Sequence, residues 1–219
     1  MNVDVKLYLS VPSCREPKSG FNASFLGLSA YLLQKGIKDH NLIGIYPQIA
    51  AQASCLSQAR QHSLSTALKE GFTHWLSLDD DMMFPANCVD QLIAHNAPVV
   101  TANYRKKNHT KVLGVCQGID DKILDSTGKT GTQKIGWMGG GLFLVDLEKI
   151  KHIPAPHFEV VWCKERQDYY DQDYYFSAKL RQHGIDILLD HDLSQQTKHI
   201  GDYLFEWPQV EQEISEAAE

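Results

Sequence analysis

Three consecutive carboxylates, Asp79-Asp80-Asp81, follow the apolar run Trp75-Leu76-Ser77-Leu78 and precede Met82-Met83-Phe84-Pro85. Adjacent carboxylates repel one another, and at the end of a buried strand they are costly unless a cation or hydrogen-bond donors meet them. An isolated acidic triplet reads equally well as a solvated turn or as a cap on the following helix. Its position between two apolar stretches favours a divalent-metal or nucleotide site, and oxygen ligands suit Mg²⁺ or Mn²⁺. A second group lies toward the carboxyl terminus: Asp171-Gln172-Asp173-Tyr174-Tyr175-Phe176, then Asp190 and His199-Ile200-Gly201. Taken alone, an Asp at a helix start is a cap and a lone His is structural. The dense basic run Arg105-Lys106-Lys107, extended by His109 and Lys111, reads as a solvated loop or as a contact for a phosphate group.

Other signals carry less. Gly128-Lys129-Thr130 imitates a phosphate-binding loop, but Ile123 stands where that motif needs its first glycine. Gly139-Gly140-Gly141 opens a strand rather than a helix, which argues against a dinucleotide fingerprint. His191, Asp192 and His199 have no further nitrogen or sulfur ligand at a supporting spacing, so a zinc site is disfavoured.

The elements that must position these residues follow from periodicity. Val3, Val5, Leu7, Leu9 and Val11 alternate with polar residues, predicting a strand with one buried face. Phe21, Phe25, Leu28 and Leu32 recur at helical spacing, with a stop near Gly36. A strand over 41–46, a helix from Ser54 to Glu70 and the strand Trp75–Leu78 follow; the last runs straight into the acidic triplet. Pro85 opens a helix carrying Val89, Leu92 and Ile93, and Pro98–Ala102 is a further strand. Alternating strands and helices imply an α/β domain, its central sheet mostly parallel and covered by helices on both faces. In such sheets ligands bind beyond the carboxyl ends of the strands, where the triplet lies. The second half holds extended segments over 112–132 with a turn at Ser126-Thr127-Gly128, an apolar strand after the glycines, a helix over Gln172–Gln182 and a strand over Ile185–Leu189. With neither an internal repeat nor a linker, residues 1–219 read as a single domain, and 206–219 as an acidic tail that is a surface helix or a frayed end.

Composition narrows the function classes. The 219 residues are 43% hydrophobic and 22% charged, enough for one well-buried domain. A net charge of -6 argues against a nucleic-acid partner. No apolar stretch would span a bilayer and no signal-peptide pattern opens the chain. Cys14, Cys55, Cys88, Cys116 and Cys163 are scattered without a paired motif, as expected of a reduced, cytoplasmic protein. Composition leaves the oligomeric state open.

The ordered set of segments resembles the small GT-A glycosyltransferases related to the large inverting family two, in the compact forms of bacteria and their viruses. The segments are the strand reaching Val11-Pro12, Leu56-Ser57-Gln58-Ala59-Arg60, Gly71-Phe72-Thr73-His74-Trp75, the triplet with Phe84-Pro85, Thr101-Ala102-Asn103-Tyr104-Arg105-Lys106-Lys107, the glycine run with Leu142-Phe143-Leu144, Asp173-Tyr174-Tyr175-Phe176, and His199-Ile200-Gly201. The resemblance spans about Val5 to Phe205. It implies an enzyme, a metal-dependent glycosyltransferase of GT-A fold that moves a sugar from a nucleotide-diphosphate sugar to an acceptor hydroxyl, assisted by Mn²⁺ or Mg²⁺. Asp81 and His199 would ligate the ion. Asp79 would join Asp81 and His199 as a metal residue and would also hold the donor ribose hydroxyls. Asp80 would contact the ribose, the donor sugar or the ion's water shell. Arg60 would face the nucleotide or pair with the acidic cluster, Pro12 and Ser57 would line the base and ribose pocket, and Gly140 with its neighbours would let backbone approach a sugar. Asp173 would be the base of an inverting transfer, Trp137 either a stacking surface for an acceptor ring or a buried core residue, and Tyr104, Lys106 and Lys107 a border of the acceptor or diphosphate. The family usually has Glu-Asp where this chain has Gln172-Asp173. That departure motivates an alternative, a catalytically silent nucleotide-sugar or glycan-binding module of the same fold. A nucleotidyltransferase ranks last, because Ser10-Val11-Pro12-Ser13-Cys14-Arg15 lacks the Gly-rich loop of that class.

Overall fold

The structure is a computed structural model that describes residues 5–13, 17–39, 42–50, 55–107, 111 and 113–208, without side chains for 37–50. Val3, His109 and the acidic stretch from 209 onward lie outside the described residues. The first half alternates as the periodicity requires: β1 (Val5–Pro12), α1 (Ser19–Asp39), β2 (Leu42–Ala50), α2 (Leu56–Lys69), β3 (His74–Leu78), β4 (Met82–Met83), α3 (Cys88–Ala94) and β5 (Val99–Ala102). The second half adds β6 (Thr132–Ile135), β7 (Leu142–Asp146), α4 (Leu147–Ile150), β8 (Val161–Cys163), β9 (Asp168–Tyr170), α5 (Gln172–Gln182), β10 (Ile187–Asp190), α6 (His191–Gln196), β11 (Lys198–Ile200) and β12 (Leu204–Phe205).

Seven strands form the main sheet in the order β2-β1-β3-β7-β5-β10-β6. β1, β2, β3, β5 and β10 run one way; β7 and β6 run against them. The reversal of β7 shapes the site. Leu142, its first residue, pairs with Leu78, the last residue of β3, so the glycine run and the acidic triplet meet at one end of the sheet.

Apolar residues cover both faces. Leu7, Leu9 and Val11 pack with Phe21, Leu28 and Leu32 of α1, and with Val89 and Leu92 of α3. On the opposite face Tyr8 and Trp75 pack with Leu64 of α2, Ile150 of α4, and Phe176 and Leu180 of α5. The expectation of one buried face for the first strand is therefore corrected. Tyr8 and Ser10 are fully buried, Tyr8 lying edge-on to Phe72 at 5.1 Å and Ser10 accepting the Trp75 indole N–H at 2.8 Å. Helices cover both faces of this central strand, so neither is left for water. The first helix also runs past Gly36 to Asp39. At the other end, Trp207 is 2% exposed, so the chain is still packed two residues beyond β12 rather than frayed from Glu206.

Irregular backbone is pinned by a polar hub. Asn103, directly after β5, accepts from the backbone N–H groups of Val115 and Cys116, both at 3.1 Å, and donates to Leu124 O and Ser126 Oγ, both at 3.0 Å. These bonds hold the 113–126 segment against the sheet end and fix the neighbouring Tyr104.

Candidate functional site

The site is assembled where β3 ends. Asp79 N donates to Gly141 O at 2.9 Å, which extends the β3–β7 ladder by one step. The chain then turns, with Met82 N bonded to Asp79 O at 3.3 Å, and enters β4. β4 pairs antiparallel with β11, Met82 opposite His199 and Met83 opposite Lys198, and β12 flanks β11. A further bond from Ile200 N to Asp81 O, 2.8 Å, closes the turn. This small three-stranded sheet carries His199 to Asp81. Its strands are two or three residues long, too short for a period, so no sequence signal announces them.

His199 Nε2 lies 3.6 Å from Asp81 Oδ1. The other ring nitrogen, Nδ1, is 2.9 Å from Arg105 O. A carbonyl only accepts, so Nδ1 carries a proton there and a neutral ring keeps its lone pair on Nε2, toward Asp81. Tyr104 packs edge-on to the ring at 5.0 Å. On its second oxygen Asp81 takes the Lys107 ammonium at 2.6 Å. Burial pushes the Asp81 carboxyl up, but His199 in its protonated form, donating from Nε2, and Lys107 outweigh it and hold the group well below the usual carboxylate range.

Asp79 faces another way. Its Oδ1 meets Arg60 Nη2 at 2.5 Å. Arg60, a helix α2 residue 2% exposed, also donates to Gly140 O at 2.9 Å. Gly140 N in turn donates to Asp173 Oδ2 at 3.1 Å, and Gly141 N to the Tyr104 hydroxyl at 2.8 Å. Burial raises the Asp79 carboxyl to about 6; Arg60 opposes this, while Asp81 and Asp173 add to it. The same burial, with Asp79 and Asp173 nearby, puts the Tyr104 phenol well above its usual value. Among the described residues no three His, Cys, Asp or Glu side chains gather as a metal-holding group; Asp81 and His199 stand as a pair, with Asp79 on Arg60.

The glycine run is closely packed by this chain's own side chains. A Cβ on Gly140 would lie 2.4 Å from Arg60 Nη2, and one on Gly141 2.6 Å from the Tyr104 ring. The missing side chains make room for this chain's own guanidinium and phenol, which is why these positions are Gly. Asp80, 5% exposed, is turned to the β1 side, where Ser13 Oγ donates to its Oδ2. Pro12 ends β1 immediately before that serine. Ser57 sits in the first turn of α2 and borders a hollow shared with Gln61, His62 and Phe158.

Asp173 lies in the first turn of α5, where backbone dipoles favour an anion, and its Oδ1 accepts from Tyr174 N at 2.9 Å. It opens on a cavity of about 300 Å³ that Tyr104, Lys106, Gln117, Trp137 and Arg166 also line. One wall is a ladder of rings and cations. Arg166 lies 4.9 Å from the Tyr170 ring, Tyr170 stacks on Tyr174 at 4.0 Å, Tyr174 on Trp137 at 3.8 Å, and Arg181 lies 4.7 Å from the Trp137 ring. Trp137 is thus engaged by Tyr174 and Arg181 while it lines the cavity. Gln172 is 7% exposed, and among the described residues its Oε1 has no hydrogen-bond partner. His191, set aside above as a ligand, is bonded to Ser126 Oγ and Gln133 Oε1. Sequence reasoning missed the Asp80 partner Ser13 and the role of Asn103; neither contact leaves a local signal.

No protein-family profile and no curated protein sequence matches the chain. In fold it is similar to the crystal structure of A197 from STIV, with a TM-score of 0.59 and 15% identity over 98% of this chain and 100% of that one. It is also similar to S. aureus TarS in complex with UDP-GlcNAc, with a TM-score of 0.48 and 12% identity over 98% of this chain and 62% of that one. A Drosophila β-1,4-galactosyltransferase 7 mutant in complex with manganese, UDP-Gal and xylobiose gives a TM-score of 0.47 and 13% identity over 90% of this chain and 71% of that one. The chain is a mixed α/β fold with the mostly parallel central sheet expected of it, and it shares that fold with A197 from STIV.

Proposed function

We propose that this chain is a metal-assisted glycosyltransferase that moves a sugar from a nucleotide-diphosphate sugar to an acceptor hydroxyl. The observation that carries the reading is the meeting of Asp81 and His199, residues far apart in sequence, at 3.6 Å. That separation is too long for a good hydrogen bond. A carboxylate oxygen and the lone pair of Nε2 facing one another fit a small divalent ion, with Arg105 O holding the ring from behind. Oxygen ligands with one nitrogen suit Mn²⁺, and Mg²⁺ is acceptable. Bound there, the ion supplies Lewis acidity to the diphosphate oxygens.

The chain's own residues do the rest. Asp79, kept in place by Arg60, offers its carboxylate to the ribose hydroxyls and to the margin of the ion's site, and Asp80 supports the same turn through Ser13. Pro12 and Ser57 border the nucleoside. Asp173, at the cavity, takes the proton of the acceptor hydroxyl. As the acceptor oxygen bonds the anomeric carbon, the bond to the diphosphate breaks and the pair of electrons leaves with it, so the configuration inverts.

Calorimetric titration of UDP and GDP, with and without Mn²⁺, tests the reading. Binding strengthened by Mn²⁺ is expected, and Asp81→Ala is expected to erase the enhancement. Identical affinities with and without the ion in the wild-type chain would sink the metal-assisted reading. One observation favours a second reading, a silent nucleotide-sugar or glycan-binding module: Gln172, where the resemblance leads one to expect Glu, is buried, and its carbonyl has no hydrogen-bond partner among the described residues. Measurable donor hydrolysis or transfer excludes it.

A further inference from the structure

The carboxylate that would meet the ion already holds a cation on its other oxygen. Lys107 Nζ lies 2.6 Å from Asp81 Oδ2, the oxygen that His199 does not face. The Asp81 side chain is 9% exposed and that of Lys107 33%, so the ammonium caps a nearly buried carboxylate from the solvent side. Lys107 reaches it from a third segment. The bridge Arg105↔Gly114 and the 2.8 Å bond from Lys106 N to Leu113 O tie down the backbone just before it. Its stem runs over Gly201, where a Cβ would come within 3.3 Å of Lys107 Cδ.

One carboxylate cannot hold an ammonium at ion-pair distance and a divalent ion together without strong like-charge repulsion, because little water is present to screen it. Resting on the metal-assisted reading of this site, we propose that Lys107 is the resident counter-ion of Asp81 and a competitor of the divalent ion. The lysine neutralises the carboxylate when no metal is bound, must leave it for the ion to dock, and so sets the metal affinity of the protein. Its length and its partial exposure make it displaceable: the ammonium can swing into water while the stem stays on Gly201. Arg60 has no such freedom, being buried between Asp79 and Gly140.

The test is calorimetric titration of Mn²⁺ into the full chain. Lys107→Met keeps the stem and removes the charge; it is expected to bind Mn²⁺ about tenfold tighter than wild type. Lys107→Arg keeps the charge and is expected to stay near the wild-type value, an outcome that a merely packing role for the stem does not give. Binding by Lys107→Met that is equal to wild type, weaker, or as undetectable as wild type overturns the inference. A measurement on the wild-type chain covers the case in which Lys107→Met does not fold. Acetylation of Lys107 by acetic anhydride, read by mass spectrometry, is expected to rise when Mn²⁺ is present, as the amine is released. Unchanged or reduced labelling overturns the inference. Titrating UDP and GDP at saturating Mn²⁺ reads the transferase assignment separately: no binding there sinks that assignment and leaves the Mn²⁺ comparison between Lys107 variants standing.

Discussion

Asp79 and Asp81 belong to one turn and yet to two different environments. Asp79 looks into the protein, onto a buried guanidinium that is itself bonded to Gly140 and through it to Asp173. Asp81 looks toward the small sheet, where its partners are an imidazole anchored on a carbonyl and a lysine one-third exposed. Burial raises the first carboxyl to about 6, while Lys107 and, when it is protonated, His199 overcome burial and lower the second. Like residues in sequence thus become a fixed, internally neutralised carboxylate and an exchangeable one. The difference lies in the partners: Arg60 is locked in the core, whereas Lys107 can be replaced by another cation without unfolding anything.

The comparison can be broken most sharply by separating its two sides. Asp173→Asn, on the Arg60–Gly140 side, is expected to cut transfer about 10²–10⁴-fold while Mn²⁺-dependent nucleotide binding persists. Asp81→Ala is expected to do the reverse at the binding step, erasing the Mn²⁺ dependence; parallel steady-state and calorimetric measurements on both variants check the split. Arg60→Met is next. Removing the buried guanidinium that partners Asp79, whose own side chain is a quarter open to water, is expected to cost about 2–3 kcal/mol in a denaturant titration, with Asp79→Asn in the same chain recovering part of it. Gly140→Ala is smaller. Its Cβ would fall 2.4 Å from the Arg60 guanidinium, and the forced shift is expected to cost about 1–3 kcal/mol, seen as a lower denaturant midpoint.

The smallest effect is in pH. The folded-state Asp79 value, about 6, lies above the ordinary 3.8, so between those values the folded chain binds a proton that the unfolded chain has released. The stability from this group is fully present below the ordinary value and is lost as pH rises through about 6. A loss of about 1–2 kcal/mol is expected, less than full burial would give because a quarter of the Asp79 side chain is open to water. Asp81, shifted downward, works in the opposite sense and only below the ordinary carboxylate value. Thermal melts of wild type and Asp79→Asn across this range check the assignment; an unchanged slope in the variant would remove Asp79 as its cause.

Much of the architecture was legible without coordinates. Period-two apolar residues in β1, helical spacing in α1 and α2, and the run of β3 into three aspartates are local signals, and each produced the expected element. The second half was less legible. β4, β11 and β12 are held by pairing rather than by pattern, and the antiparallel insertion of β7 has no local signature. The glycines were legible as positions without side chains, but what filled the space was not: the occupants, Arg60 and Tyr104, come from a helix and from the end of β5.

The amino-acid sequence by itself determined which elements form, that a mostly parallel sheet is buried on both sides, and that three carboxylates stand at a strand end, because these follow from short-range periodicity and the cost of burying charge. Tertiary structure alone decided how those carboxylates are partnered. Asp79 received a core arginine, Asp80 a serine from the loop after β1, and Asp81 a histidine and a lysine from two other segments. Partners of that kind depend on which strand ends the sheet order brings together, and hydrogen bonds and ion pairs across such distances leave no periodicity along the chain.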